Sequence, residues 1–293
     1  MISDQQYADI AEMRARRPEA LGEAARGRKR RDEFDDGRGL LFITADDPAR
    51  ANLQIGANPV ALGDRKRLLE RLLEALEHPV TSGIIATRDI VDELLLLGAL
   101  HDKLVIGSMN RSGLMGSTWE VDDRFTGLDP AAIVDGNLDG GKMVLRIDWN
   151  DPGTNRAIEA CAGAIAELAR RKLVAIVEPL AVFQDGGRSR VANDPEYVIR
   201  ALSVASGLGA VSAYTWLKVP VVRNMGQVLA ATSMPVLIAG GDPGADGDEI
   251  VDRWRTLTRL PQVRGMVAGR NLLFPADGDM DRALAMVAGA LDR

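Results

Sequence analysis

The chain predicts a (β/α)8 barrel on three observations. Eight short apolar runs recur along its 293 residues, helical patterns separate them, and no Pro-, Gly- or Ser-rich linker divides them. The runs are continuously hydrophobic rather than alternating, as strands covered on both faces require. An open doubly wound sheet is the alternative, weakened by the lack of a GxGxxG turn after the first run. A barrel of this kind takes about 250 residues as one domain. The surplus falls to an N-terminal helical extension (1–36), which leaves 37–293 for the barrel.

The elements follow in order. Residues 4–26 read as helix, and LLFITA (40–45) is the first strand. In 64–77, Leu68, Leu69, Leu72, Leu73 and Leu76 form one apolar stripe behind Asp64, a good N-cap residue. SGIIAT (82–87) is the second strand, and ELLLLGAL (93–100) is a buried helix face, too short to span a bilayer. KLVIGSM (103–109) and KMVLRID (142–148) are the third and fourth strands. Between 155 and 171, Ile158, Cys161, Ala162, Ile165 and Leu168 line one helix face. LVAIVEP (173–179), SAYTWLK (212–218), PVLIAGG (235–241) and GMVAGR (265–270) complete the eight, with helices expected over 195–208 and 246–257. Two connections, 110–127 and 180–195, are longer than the fold requires. Both follow strand ends and read as candidate lid loops.

Composition narrows the function classes. With 36 Lys+Arg against 42 Asp+Glu the formal charge is −6, so the domain lacks the basic balance of a nucleic-acid binder. The basic cluster Arg14, Arg16, Arg17, Arg26, Arg28, Lys29, Arg30 and Arg31 is followed at once by Asp32, Glu33, Asp35 and Asp36, and reads as a solvated, mixed-charge extension. No 18-residue apolar run and no export signal occur, so no membrane partner is expected. The single Cys161 fits a reducing compartment, and a cytoplasmic location is expected. Two histidines, His78 and His101, leave little room for a His-rich metal site, and neither metal nor cofactor is expected.

Polar residues gather where the strands end. Asp46, Arg88, Asn110, Asp148, Glu178, Lys218, Gly241 and Arg270 all fall at or just beyond a carboxyl terminus, the catalytic face of such a barrel. Lys218 lies between Trp216, Leu217 and Val219, Pro220. Apolar surroundings disfavour an ammonium ion, and a free amine attacks a carbonyl to form a Schiff base. The alternative is a lysine whose stem lies on apolar surface with its head in water. Lys142, six positions before Asp148, is expected near its strand's start, placing a positive charge or contacting substrate. Asp148 and Glu178 end consecutive strands, where carboxyl groups suit proton transfer, although either is also a plausible ion-pair partner for Arg146, Lys142 or Lys218. Gly240, Gly241, Gly269 and Arg270 end the last two strands, where such barrels often hold phosphate on backbone N–H groups, with Arg270 adding a cationic fork.

Five segments, KMVLRID, VEPL, YTWLKVP, LIAGGDPG and VAGRNLLFP, together resemble the class I aldolase family that includes the fructose-bisphosphate, tagatose-bisphosphate and deoxyribose-phosphate aldolases. They run from the fourth strand to the eighth in the family's order, and GRN followed by an apolar pair is the most specific. The resemblance implies that Lys218 forms the Schiff base, that Lys142 and Asp148 match a lysine–aspartate pair of the tagatose-bisphosphate branch, and that Glu178 in EPL is an acid/base. It also implies an acid after the first strand, placed at Asp46 or Asp47. Departures accompany it: the first strand ends in TADDPAR, and Arg146 and Ile147 stand where that branch has tyrosines, so an inward Arg146 changes the substrate's surroundings. The implied function is reversible cleavage of a phosphorylated ketose, from inositol or a related sugar-acid pathway, with a small sugar phosphate as ligand and a homo-oligomeric assembly. The competing readings are a sugar-phosphate isomerase or epimerase, with Glu178 as base, and a non-catalytic phosphosugar-binding barrel.

Overall fold

Eight parallel strands close on themselves in the computed structural model, which describes residues 2–110, 114–115, 123–239 and 247–292. In chain order the strands are β1 (Leu40–Ala45), β2 (Gly83–Ala86), β3 (Leu104–Ser108), β4 (Gly140–Ile147), β5 (Val174–Asp185), β6 (Arg188–Val191), β7 (Thr215–Pro220), β8 (Val236–Ala239) and β9 (Val263–Ala268). Each barrel strand pairs in parallel with its neighbours, and β1 meets β9 to close the ring. The chain is therefore a (β/α)8 barrel, as the recurring apolar runs predict.

The helices are α1 (Asp4–Arg16), α2 (Glu19–Gly27), α3 (Arg65–Glu77), α4 (Arg88–Leu96), α5 (Pro130–Asp135), α6 (Gly153–Arg170), α7 (Pro195–Ser206), α8 (Met225–Leu229), α9 (Gly247–Thr258), α10 (Arg270–Leu273) and α11 (Met280–Leu291). Asp64 caps α3, its side chain accepting the Arg67 N–H at 3.0 Å. The leucine stripe of α3 is buried at Leu68, Leu69, Leu72 and Leu76. None of these helices is long and apolar enough to cross a membrane.

Strand alternation sorts side chains into two cores. Residues such as Leu41, Ile43, Met143, Leu145, Val177 and Leu217 face the helices. Those between them, Leu40, Phe42, Ile85, Ile106, Ile176, Trp216, Leu237 and Val267, fill the barrel's inside. Further along the inward face of four strands come the polar residues of the mouth. Thr44 and Asp46 follow Phe42, Ser108 follows Ile106, Glu178 follows Ile176 and Lys218 follows Trp216.

Three sequence expectations change. The fourth strand starts at Gly140, so Lys142 is its third residue rather than its opening one. A Cβ on Gly140 would lie 2.2 Å from the Val174 carbonyl oxygen, so only glycine lets β4 approach β5 there. The expected loop 180–195 is largely a β-hairpin: β5 runs on to Asp185, Gly186 and Gly187 turn the chain with positive φ, and β6 returns antiparallel. The basic N-terminal cluster is not wholly solvated. Arg28 is buried against Asp139 at 3.0 Å, and Arg30 pairs with the same carboxylate at 2.8 Å. Beyond them Phe34 packs edge-on against Trp216 and tilted against Phe42, with ring centroids 5.0 and 6.0 Å away. The segment after α2 thus joins the interior core of the barrel.

Candidate active site

Four strands deliver four charged groups to one point. Lys218 on β7 has its Nζ 2.7 Å from Oε1 of Glu178 on β5. The other oxygen, Oε2, lies 2.8 Å from Nζ of Lys142 on β4. The Lys142 ammonium also donates to Oδ2 of Asp46, just beyond β1, at 3.0 Å. The result is an unbroken amine–carboxylate–amine–carboxylate chain. The hydroxyls of Thr44 (2.8 Å) and Ser108 (3.1 Å) donate to Asp46 and fix its orientation.

Geometry explains why Lys142 reaches this point. In register it pairs with Ile176, one inward step below Glu178. Its four-carbon stem climbs that step along apolar wall and delivers the ammonium to the carboxylates. Both lysines are almost completely buried. Burial alone would drive Lys142 toward the neutral amine, yet Asp46 and Glu178 outweigh it and hold the group well above the usual lysine range. Burial likewise opposes the Glu178 carboxylate, but the two lysines pull it down to about 2. Asp46 is held below its ordinary value in the same way, first by Lys142 and then by Lys218. The surroundings of Lys218 are therefore not purely apolar, as its flanking residues imply, since a carboxylate sits at hydrogen-bond distance.

Other expected site residues lie in different roles. Asp148 is buried, but its carboxylate accepts the Asn150 N–H at 2.9 Å and forms no ion pair with either lysine. Its backbone N–H and carbonyl are both tied to the Thr154 hydroxyl, which organises the turn into α6. Arg146 does face inward, yet it is locked to Asp123. Its Nη2 lies 2.6 Å and its Nε 3.0 Å from Asp123 Oδ1, and its backbone N–H donates to Oδ2 at 3.0 Å. Burial outweighs the adjacent arginine and pushes the Asp123 carboxyl up to about 6. Arg270, the first residue of α10, turns to the β1 loop, where it meets Asp47 at 3.1 Å and Asn52 at 2.9 Å. The two acids after β1 thus separate, Asp46 to the lysines and Asp47 to Arg270. Gly269 abuts Thr44, and a Cβ there would lie 2.7 Å from the Thr44 methyl carbon. Gly240 and Gly241 lie outside the described residues. Asn110 braces two strands, its amide exchanging hydrogen bonds with the Val144 backbone at 2.7 and 2.9 Å.

Beside the charged chain, a cleft of about 520 Å³ opens at the mouth over β1–β3. Asp46, Ser108 and Asn110 form its inner wall, and Arg50, Arg65, Arg88 and Arg14 lie around it. Its volume is that of a small-molecule site. Sequence reasoning missed Ser108, Asp123, Arg50 and Arg14. The first follows from alternation, since Ser108 is two residues past the inward Ile106. The others come from a loop, a short turn and the N-terminal helix, where no periodicity aims a side chain.

Fold and site together define a (β/α)8 barrel with two lysines sharing one glutamate at its mouth. Residues 38–288 match the Cgl0159-like family, and the chain belongs to it. Cgl0159 from Corynebacterium glutamicum (Brevibacterium flavum) is 38% identical, with a TM-score of 0.95 over 99% of this chain and 98% of that one. A Schiff-base-forming fructose-1,6-bisphosphate aldolase is 18% identical, with a TM-score of 0.62 over 92% of this chain and 98% of that one. An archaeal fructose-1,6-bisphosphate aldolase, with its catalytic lysine covalently bound to a carbinolamine intermediate, is 16% identical with the same TM-score, over 92% of this chain and 99% of that one. These two likenesses show a shared fold. No curated protein matches the chain.

Proposed function

We propose that the protein is a class I aldolase that reversibly cleaves a phosphorylated ketose through a Schiff base on Lys218. The observation that carries this reading is the Lys218–Glu178–Lys142–Asp46 chain, with Glu178 bridging the two amines at 2.7 and 2.8 Å. The fold likeness to Schiff-base-forming fructose-bisphosphate aldolases supports it.

Lys218, once it has passed a proton to its neighbour Glu178, adds to the substrate ketone and forms a carbinolamine. Glu178 returns that proton to the departing hydroxyl, water leaves, and an iminium remains. The carbon–carbon bond then breaks as a base takes the proton of the adjacent hydroxyl. Its electron pair moves into the iminium to give an enamine and an aldehyde. Protonation and hydrolysis of the enamine release the second product and regenerate the amine. The iminium keeps one N–H and its positive charge, and Glu178, ionised again once the water has left, stands beside it to act as that base. Lys142 remains cationic between Asp46 and Glu178 and stabilises charge as it moves. Asp46, rather than Asp148, is the second carboxylate in contact with this chain. Phosphate is assigned to the backbone at Gly240, Gly241 and Gly269, while the Arg270 side chain steadies the β1 loop. We assign a small sugar phosphate as the ligand and expect a homo-oligomeric assembly.

Borohydride reduction in the presence of a panel of ketose phosphates, followed by peptide mass spectrometry, tests the proposal. A reduced adduct on Lys218 is expected, and Lys218→Met should abolish it and lower kcat by about 10³-fold or more. An adduct on Lys142 alone, or turnover of a confirmed substrate without any adduct, would overturn it.

A further inference from the structure

The mouth of the barrel holds a cation, Arg50, with no counter-ion among the described residues. Arg50 ends the short 3-10 turn Pro48–Arg50 after β1 and lines the 520 Å³ cleft. Of the other arginines of the cleft, Arg65 and Arg88 are matched and Arg14 is only partly so. Arg65 meets Asp89 at 2.5 Å and Glu93 at 3.2 Å, Arg88 meets Asp92 at 2.7 Å, and Arg14 lies 3.7 Å from Glu93 while donating to the Asp89 carbonyl at 2.8 Å. The Arg50 guanidinium has no ion pair and no side-chain hydrogen bond among the described residues. The acid whose charge it feels, Asp123, is held by Arg146. In both Arg50 and Arg14 the Nε is buried and has no hydrogen-bond partner among the described residues. A buried donor left unmade costs about 1–3 kcal/mol, and an anion seated in the cleft supplies the missing acceptor.

From this arrangement we infer that Arg50 and Arg14 form an anion subsite for the end of the substrate remote from Lys218, and that the N-terminal helix α1 completes it. The ligand chemistry is a phosphate or a carboxylate, both of which accept paired N–H groups from a guanidinium fork. The cleft connects this subsite to the reacting groups through Asp46, which lines the cleft and binds Lys142 at 3.0 Å. The extension therefore reaches both ends of the barrel: Phe34 packs in the core beneath and Arg14 borders the mouth. Assigning the anion to one end of a ketose rests on the aldolase reading, whereas anion binding itself does not.

Calorimetric titration with inorganic phosphate and, separately, with malonate separates the two ideas. The wild type, Arg50→Gln, Arg14→Gln and Lys218→Met are compared, each with a thermal melt as a check on folding. Loss of one charge-assisted hydrogen-bonded partner corresponds to about tenfold or more in affinity. Arg50→Gln should show that loss, Arg14→Gln a smaller one in the same direction, and Lys218→Met no loss. The tighter-binding anion identifies the chemical class. Unchanged affinity in both arginine variants, or a loss confined to Lys218→Met, would overturn the subsite and leave the Schiff-base assignment to its own trapping test. Should Arg50→Gln melt early, Arg50→Lys replaces it: the charge stays while the fork is lost, and anion affinity must still fall.

Discussion

Lys142 shows how much a single residue's meaning depends on its partners. Its ammonium is almost completely buried and lies within 3.0 Å of two carboxylates. Removing one member of such a set leaves an uncompensated charge, which typically costs about 3–5 kcal/mol. Lys142→Met is therefore expected to lower stability by about that amount in urea unfolding. It should also raise the Glu178 pKa, because one of the two cations that depress it is gone. For Glu178, depressed in the fold from 4.5 to about 2, the stabilising contribution is fully present above pH 4.5 and is lost as the pH falls toward 2. Glu178→Gln should abolish that acid-side loss. Cys161 makes the opposite case. It is buried on α6, and burial pushes its thiol up to about 12. Iodoacetamide should leave it unmodified in the native protein and alkylate it only on unfolding; alkylation at the native rate of an exposed thiol would contradict its placement.

At the scale of the element, the pairing between β4 and the segment before α5 carries a titration of its own. Asp123 has its carboxyl raised from 3.8 to about 6, so between these values the folded chain holds a proton that the unfolded chain has released. Folding is then favoured by protons, and this contribution to stability falls as pH rises from about 4 to about 6. Asp123→Asn should remove that slope from a plot of urea midpoint against pH. The two carboxylates thus act with opposite sign, Asp123 disfavouring the fold above pH 6 and Glu178 favouring it above 4.5. Elements also show where local patterns suffice. The leucine stripe and Asp64 cap locate α3 almost to the residue, because helix periodicity and capping are local properties. The β5–β6 hairpin was not legible in the same way. Its residues QDGGRSRV are polar because they project into solvent, and an exposed hairpin has no apolar run to announce it.

Across the whole molecule, the N-terminal segment is part of the structure rather than an appendage. Ile2, Ile10 and Ala25 belong to the same core as the barrel helices, and Arg28 donates to the Lys103 and Asn137 carbonyls besides pairing with Asp139. Asp139 in turn accepts the Val105 N–H at 2.8 Å, so the pair ties the segment to β3 and to the start of β4. Arg28→Met should destabilise the full chain by about 3–5 kcal/mol, since it leaves a buried carboxylate with one half-exposed partner, Arg30. A cost near zero in the thermal or urea midpoint would show that the basic cluster is dispensable.

The sequence by itself determined the barrel. Eight continuous apolar runs admit few other packings, and the end of each run marks the mouth where Asp46, Glu178 and Lys218 lie. These are properties of short segments, read through the two-residue alternation of a strand. Only the tertiary structure decided which charges meet. Register between β4 and β5 lifts Lys142 to Glu178, a loop residue neutralises Arg146, Asp47 engages Arg270, and helix α1 brings Arg14 to a cleft shared with Arg50. Coulombic and hydrogen-bond partners are set by contacts within about 3–4 Å between residues distant in the chain, and no local pattern encodes those distances.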